Sequence, residues 1–177
     1  DLLFPLPRRL KRDELGLSEA ALPFVGEDIW NAYELSWLTP SGKPVVAVGC
    51  LRVPADSPRL IESKSLKLYF NSLNQTVFTS PEAVAACVTK DLSEAAGVPV
   101  RFELSPLSSR PLAEIHYPVG TLIDELEVAC TDYQPAPDLL QTEAGPVQEE
   151  TLYSHLLKSN CLVTGQPDWA MVIVRYR

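Results

Sequence analysis

Cys161 closes the tripeptide Ser159-Asn160-Cys161, and Asp168 follows seven residues later within Gly165-Gln166-Pro167-Asp168-Trp169. A thiol is a nucleophile once ionised, and a carboxylic acid donates a proton when its pKa is lifted toward working pH. Gly165 and Pro167 read as a turn between two strand-like segments, an arrangement that can bring both groups to one mouth of a sheet. A second set of polar residues lies in Leu60-Ile61-Glu62-Ser63-Lys64-Ser65-Leu66-Lys67-Leu68-Tyr69, where a carboxylate and an ammonium stand two positions apart. Each residue also has a plainer reading. Cys161 can be a packing cysteine, Asp168 a turn cap, and Glu62 with Lys64 ordinary charges of a first helical turn.

The elements that position these residues follow from punctuation and periodicity. Residues 1–29 read as an irregular arm broken by Pro5, Pro7, Pro23 and Gly26. A hairpin is predicted over residues 33–38 and 45–53 around Thr39-Pro40-Ser41-Gly42-Lys43-Pro44. After Pro58 the pattern turns helical. Leu66, Tyr69, Phe70, Leu73 and Val77 share one stripe, with Lys64, Lys67, Asn71 and Asn74 opposite. Ser80, Pro81 and Glu82 open a second helix with Val84, Val88, Leu92 and Ala95 inward, and Gly97 stops it. A strand is expected over residues 99–104, then a Pro- and acid-rich connector to residue 149, mobile around residues 135–146, with short strands near residues 113–116 and 125–131. Residues 30–149 thus form a first module, and residues 150–177 begin a second.

The 177 residues are 46% apolar, enough for a packed core. A net charge of −8, from 15 basic against 23 acidic residues, argues against direct nucleic-acid binding, which needs clustered Lys and Arg. Arg8-Arg9-Leu10-Lys11-Arg12 is followed at once by Asp13 and Glu14 and reads as a solvated face. The longest apolar run, residues 45–51, is far short of the roughly 20 residues a membrane helix needs. Cys50, Cys87, Cys130 and Cys161 lack Cys-x-x-Cys spacing, so reduced thiols in the cytoplasm are expected. With two histidines and no metal-ligand spacing, no metal is expected, and a zinc cyclohydrolase is disfavoured.

Thr164-Gly165-Gln166-Pro167 echoes Ser41-Gly42-Lys43-Pro44 at an offset of 123 residues, and Arg175 echoes Arg52. A duplicated β-hairpin module is the reading. At that offset Cys161 aligns with Leu38 and Asp168 with Val45, so one copy alone carries the reactive pair.

The 60–69 segment, Ser154-His155-Leu156-Leu157-Lys158-Ser159-Asn160-Cys161 and Gln166-Pro167-Asp168-Trp169 together resemble the two-module QueF nitrile reductases, as does Asp28-Ile29-Trp30 with Tyr33-Glu34-Leu35-Ser36-Trp37-Leu38. That resemblance implies an α+β fold of tandem tunnelling-fold modules. Each module is an antiparallel sheet with two helices on one face, and the second is truncated here. It implies a homodimer and NADPH-dependent reduction of 7-cyano-7-deazaguanine to the primary amine in tRNA queuosine biosynthesis. It also makes Cys161 the nucleophile that forms a thioimide and Asp168 the proton donor, with the Asp168 pKa lifted by burial beside Trp169. Ile61, Glu62 and Ser63 match the family's base-binding stretch; Ser63 and Lys64 match its nucleotide-binding pair. A carboxylate can accept both N–H donors on the base's edge, and lysine suits a phosphate. No Gly-x-Gly-x-x-Gly is present, so the nucleotide site is not of the Rossmann kind. The family's His-Glu and Arg-Gly pairs have no counterpart, since neither His116 nor His155 has a matching context. A non-catalytic purine-binding or assembly module is the competing reading.

Overall fold

The computed structural model describes residues 2–108, 117–134, 136–142, 144–161 and 164–177. In chain order its elements are β1 (Pro5–Pro7), α1 (Arg9–Glu14), β2 (Glu27–Leu38), β3 (Pro44–Pro54), β4 (Arg59–Ile61), α2 (Ser63–Ser72), α3 (Pro81–Ala96), β5 (Arg101–Pro106), β6 (Thr121–Leu122), β7 (Glu150–Asn160) and β8 (Pro167–Tyr176). They fall into two compact units, residues 1–113 and 114–177. The architecture is mixed α and β, with the long strands paired antiparallel.

In the first unit the antiparallel sheet runs β2-β3-β5, and β1 pairs with β4 separately. Helices α2 and α3 cover one face, closing a core of Leu35, Trp37, Leu51, Val53, Phe102, Leu66, Tyr69, Val84, Val88 and Leu92. Strand β2 begins at Glu27, six residues before the predicted start. The cause is a β-bulge: Tyr33 and Glu34 oppose Val48 between the pairs Ala32–Gly49 and Leu35–Ala47. Ahead of it Trp30 and Ala32 face the core; beyond it Leu35 and Trp37 do. That one-residue slip breaks the period-two alternation on which sequence reading depends. Glycine at position 49 is a packing requirement, because a Cβ there would stand 2.5 Å from Leu35 Cδ1 and 2.7 Å from Phe102 Cζ.

The arm is not irregular throughout. It supplies β1 and α1, and the Arg12 guanidinium is buried, donating to the Ala55 and Ser57 carbonyls at 2.5 and 3.4 Å. The second helix keeps its predicted caps: Ser80 Oγ accepts from the Ala83 N–H at 3.3 Å, and Gly97 ends it at φ 81°. Its last buried alanine is Ala96 rather than Ala95, which is partly buried. Val77 leaves the predicted stripe because a 3-10 turn over Leu73–Gln75 ends the helical run, and it bridges Leu38 instead. The strand expected near residues 113–116 lies outside the described residues. The one expected near 125–131 does not form; Leu126 and Val128 alternate with acids but face solvent without a strand partner. In the connector, Pro137–Leu139 makes a 3-10 turn.

In the second unit β6-β7-β8 form the sheet, and the β7–β8 hairpin repeats the register of β2–β3. His155 and Leu156 bulge opposite Met171, between the pairs Ser154–Val172 and Leu157–Ala170. The turns match as well. Thr39 N–H donates to Lys43 O and Gly42 N–H to Thr39 O, at 2.9 and 2.8 Å; Cys161 N–H donates to Gln166 O and Gly165 N–H to Cys161 O, also at 2.9 and 2.8 Å. Glu27 pairs with Arg52 as Glu149 pairs with Arg175. Loop 161–166 is one residue longer than loop 39–43, so Cys161 answers to Thr39 rather than Leu38, while Asp168 does answer to Val45.

Candidate functional site

The sequence candidates form two sets, one in each unit. In the first, Ile61 ends β4 as a core residue, 4% exposed, and hands the chain to Glu62, the N-cap of α2. The carboxylate folds back onto the helix start. Its Oε1 accepts the Lys64 N–H at 2.8 Å and its Oε2 accepts the Ser65 N–H at 2.6 Å. Ser63 Oγ donates to Oε1 at 3.4 Å. These donors, Lys64 N–H foremost, hold the Glu62 carboxyl below the usual carboxylate range. Both oxygens are thus oriented; Oε2 keeps a lone pair for a further donor, and Oε1 gains one when the Ser63 hydroxyl turns away.

Ser63 and Lys64 are exposed on the first turn of α2. Ser63 also lines an open groove of about 870 Å³ between α2 and the bulged stretch of β2, with Trp30, Tyr33, Glu34, Lys67 and Phe70 among its walls. Ser36 Oγ donates to Asn74 Oδ1 at 2.9 Å, bridging the groove from strand to helix end. Lys64 stands outside that lining. The Glu62 carboxylate already takes the amides of this turn, so what the turn offers a nucleotide phosphate is the Lys64 ammonium and the Ser63 hydroxyl.

In the second unit, Asp168 pairs with Ser159 across the hairpin, and Cys161 follows Ser159 by two positions. Strand alternation continued one residue past Asn160 would put thiol and carboxyl on one face at the turn end of β7–β8, as diagonal neighbours with Cα atoms about 7–8 Å apart. A thiol and an acid so placed can attack and protonate opposite ends of a short linear group. The burial expected beside Trp169 is not supplied by this unit: Asp168 is exposed, and Trp169 is 60% exposed. Lys158 Nζ sits 5.9 Å from the Trp169 ring centroid.

Sequence reading missed two supports of the first set. Ser65 Oγ donates to the Glu62 carbonyl at 2.7 Å and accepts the Phe4 N–H at 3.0 Å. Tyr69 Oη donates to Asp91 Oδ2 at 2.7 Å, tying α2 to α3, and burial together with Asp91 pushes the phenol pKa up. The second was half-legible, since Tyr69 falls on the predicted inward stripe of its helix while Asp91 lies outside the apolar stripe predicted for the next. The first was not, because its partners are 61 residues apart. Among the described residues no group of three His, Cys, Asp or Glu side chains gathers to hold a metal ion.

Residues 1–104, more than half of the chain, match the family model described as nitrile reductase, 7-cyano-7-deazaguanine-reductase N-term. Three curated relatives are each named NADPH-dependent 7-cyano-7-deazaguanine reductase. The protein of Dechloromonas aromatica (strain RCB) is 66% identical over 177 residues, covering 100% of this chain and 62% of the relative. That of Aromatoleum aromaticum is 58% identical over 99% of the chain and 62% of its own length. That of Azoarcus sp. (strain BH72) is 59% identical, again over 99% and 62%. The chain therefore spans less than two thirds of the length of the relatives it matches.

Proposed function

The chain belongs to the nitrile reductase family of 7-cyano-7-deazaguanine reductases, and from that premise we propose that the complete protein reduces the nitrile of that base to the primary amine, with NADPH as reductant, in queuosine biosynthesis. What supports the reading is that Asp168 stands opposite Ser159, two positions before Cys161, at the turn end of the β7–β8 hairpin. Cys161 sulfur adds to the nitrile carbon. A C–S bond forms, one C–N π bond opens, and Asp168 passes its proton to the nitrogen, giving a thioimide. NADPH, held by Ser63 and Lys64, would supply one hydride per molecule, so two molecules serve each base. Reduction of the thioimide would free Cys161 as thiolate and leave an imine, and reduction of the imine with uptake of a proton at nitrogen would give the amine. Glu62 accepts the N–H donors of the base, with Ile61 and Ser63 beside it, and Ser63 with Lys64 takes the nucleotide.

We also infer that the two hairpins are copies of one tunnelling-fold module and that chains assemble as homodimers. The common bulge, turn bonds and Glu–Arg pairs support the duplication. Val45 packs against the helix-covered core of the first unit. Asp168 holds the equivalent position in the second hairpin.

The test is NADPH oxidation by the complete protein in the presence of 7-cyano-7-deazaguanine. Two cofactor molecules should be consumed per base, and Cys161→Ala should abolish turnover while keeping base affinity. Tight base binding with no oxidation by the unaltered protein would make it a binding module instead.

A further inference from the structure

Strand β1 and helix α1 form a strap that reaches the Glu62 cap through several independent bonds. The Glu62 N–H donates to the Phe4 carbonyl at 3.0 Å, continuing the β1–β4 ladder in which Pro5 pairs with Ile61. The Phe4 N–H donates to Ser65 Oγ, which itself donates to the Glu62 carbonyl, and the Ser65 N–H donates to the Glu62 carboxylate. Ser65 is 6% exposed, so its hydroxyl works where water cannot replace it. The far end of the strap is clamped. Arg8 N–H donates to the Pro58 carbonyl at 3.0 Å, Arg8 Nε donates to Ser57 Oγ at 3.0 Å, Arg8 pairs with Asp28, and the buried Arg12 holds the Ala55 and Ser57 carbonyls.

We infer that the strap of residues 4–12, acting through the Ser65 hydroxyl, is a positioning element that fixes the Glu62 carboxylate in the orientation from which it accepts the base. This rests on the base-binding role proposed for Glu62. A helix cap needs one side-chain oxygen. Here both oxygens are pinned, and the backbone on either side is tied to the strap. A carboxylate held in this way has already lost its rotamer freedom, so base binding does not have to bring about that ordering. Ser65 and the Phe4 amide are positioning groups and do not touch the base.

The experiment uses the complete protein and compares Ser65→Ala, Ser65→Thr, Phe4→Pro and Glu62→Gln. Base affinity is measured by calorimetry, with KM for NADPH and kcat alongside. Ser65→Ala should weaken base binding by about tenfold, the scale of one hydrogen bond lost beside a charge, with KM for NADPH unchanged. Ser65→Thr, which keeps the hydroxyl, should restore it. Phe4→Pro removes the strap's N–H donor while leaving Ser65 intact, and should weaken base binding severalfold; it decides the matter if Ser65→Ala does not fold. Unchanged base affinity in folded Ser65→Ala or Phe4→Pro, or an equal loss for base and NADPH together, overturns the inference. Unchanged affinity in Glu62→Gln overturns instead the base-binding reading on which it stands.

Discussion

Glu62→Ala removes two things at once, and the structure separates them. The helix cap loses both acceptors of the Lys64 and Ser65 amides, which costs about 1 kcal/mol of stability and lowers the melting temperature by a few degrees. The base loses an ionised acceptor for two N–H donors. Hydrogen bonds to a charged partner contribute about 1.5–3 kcal/mol each, so Kd should rise by roughly 10²- to 10⁴-fold. Thermal unfolding and calorimetry on one sample read both effects. The acid limit follows from the depressed pKa of Glu62. Its stabilising contribution is fully present above the unfolded value of about 4.3 and is lost as pH falls through the lower folded value. Base affinity carried by Glu62 should therefore be flat from neutrality to about pH 5. A melting temperature that drops as expected with Kd unmoved would refute the reasoning, leaving Glu62 a cap and nothing more.

Asp168→Asn should keep base affinity while slowing turnover by about 10²- to 10⁴-fold, as loss of a general acid does; turnover near the original rate would remove Asp168 from the chemistry. Gly49→Ala should destabilise the first unit by about 1–3 kcal/mol through overpacking against Leu35 and Phe102, read by denaturant melts, and neutrality there would contradict the packing. Tyr69 has its pKa raised in the fold, so its contribution is complete below the unfolded value of about 10 and is lost as pH rises above it. Alkaline melts should accordingly decline less steeply in Tyr69→Phe, which should also lose about 1 kcal/mol at neutral pH; parallel curves would argue against the Asp91 bond.

What the sequence disclosed was mostly local. Ser80, Pro81 and Gly97 bound α3 as helix-capping chemistry dictates, and the stripe of Val84, Val88 and Leu92 is buried as its spacing requires. The Gly-Pro turn joins β7 to β8 as the turn residues foretell, with Asp168 opening the second strand opposite Ser159. What stayed hidden was long-range. The β2 bulge erased the alternation before Tyr33, and the short β1 strand has no pattern of its own until β4 supplies its partner. The Ser65 hub joins residues 61 apart and left no mark on either segment. Over residues 125–131 the pattern misled in the other direction, since alternation without a neighbouring strand to complete the ladder does not make a sheet.

The central claim is that Cys161 sulfur bonds to the nitrile carbon, and intact-protein mass spectrometry reads that bond directly. Complete protein mixed with 7-cyano-7-deazaguanine and no NADPH should gain the mass of one base per chain. The gain should vanish in Cys161→Ala and reverse when NADPH is added. An unshifted mass in protein that binds the base tightly, or a shift that survives Cys161→Ala, would contradict the account.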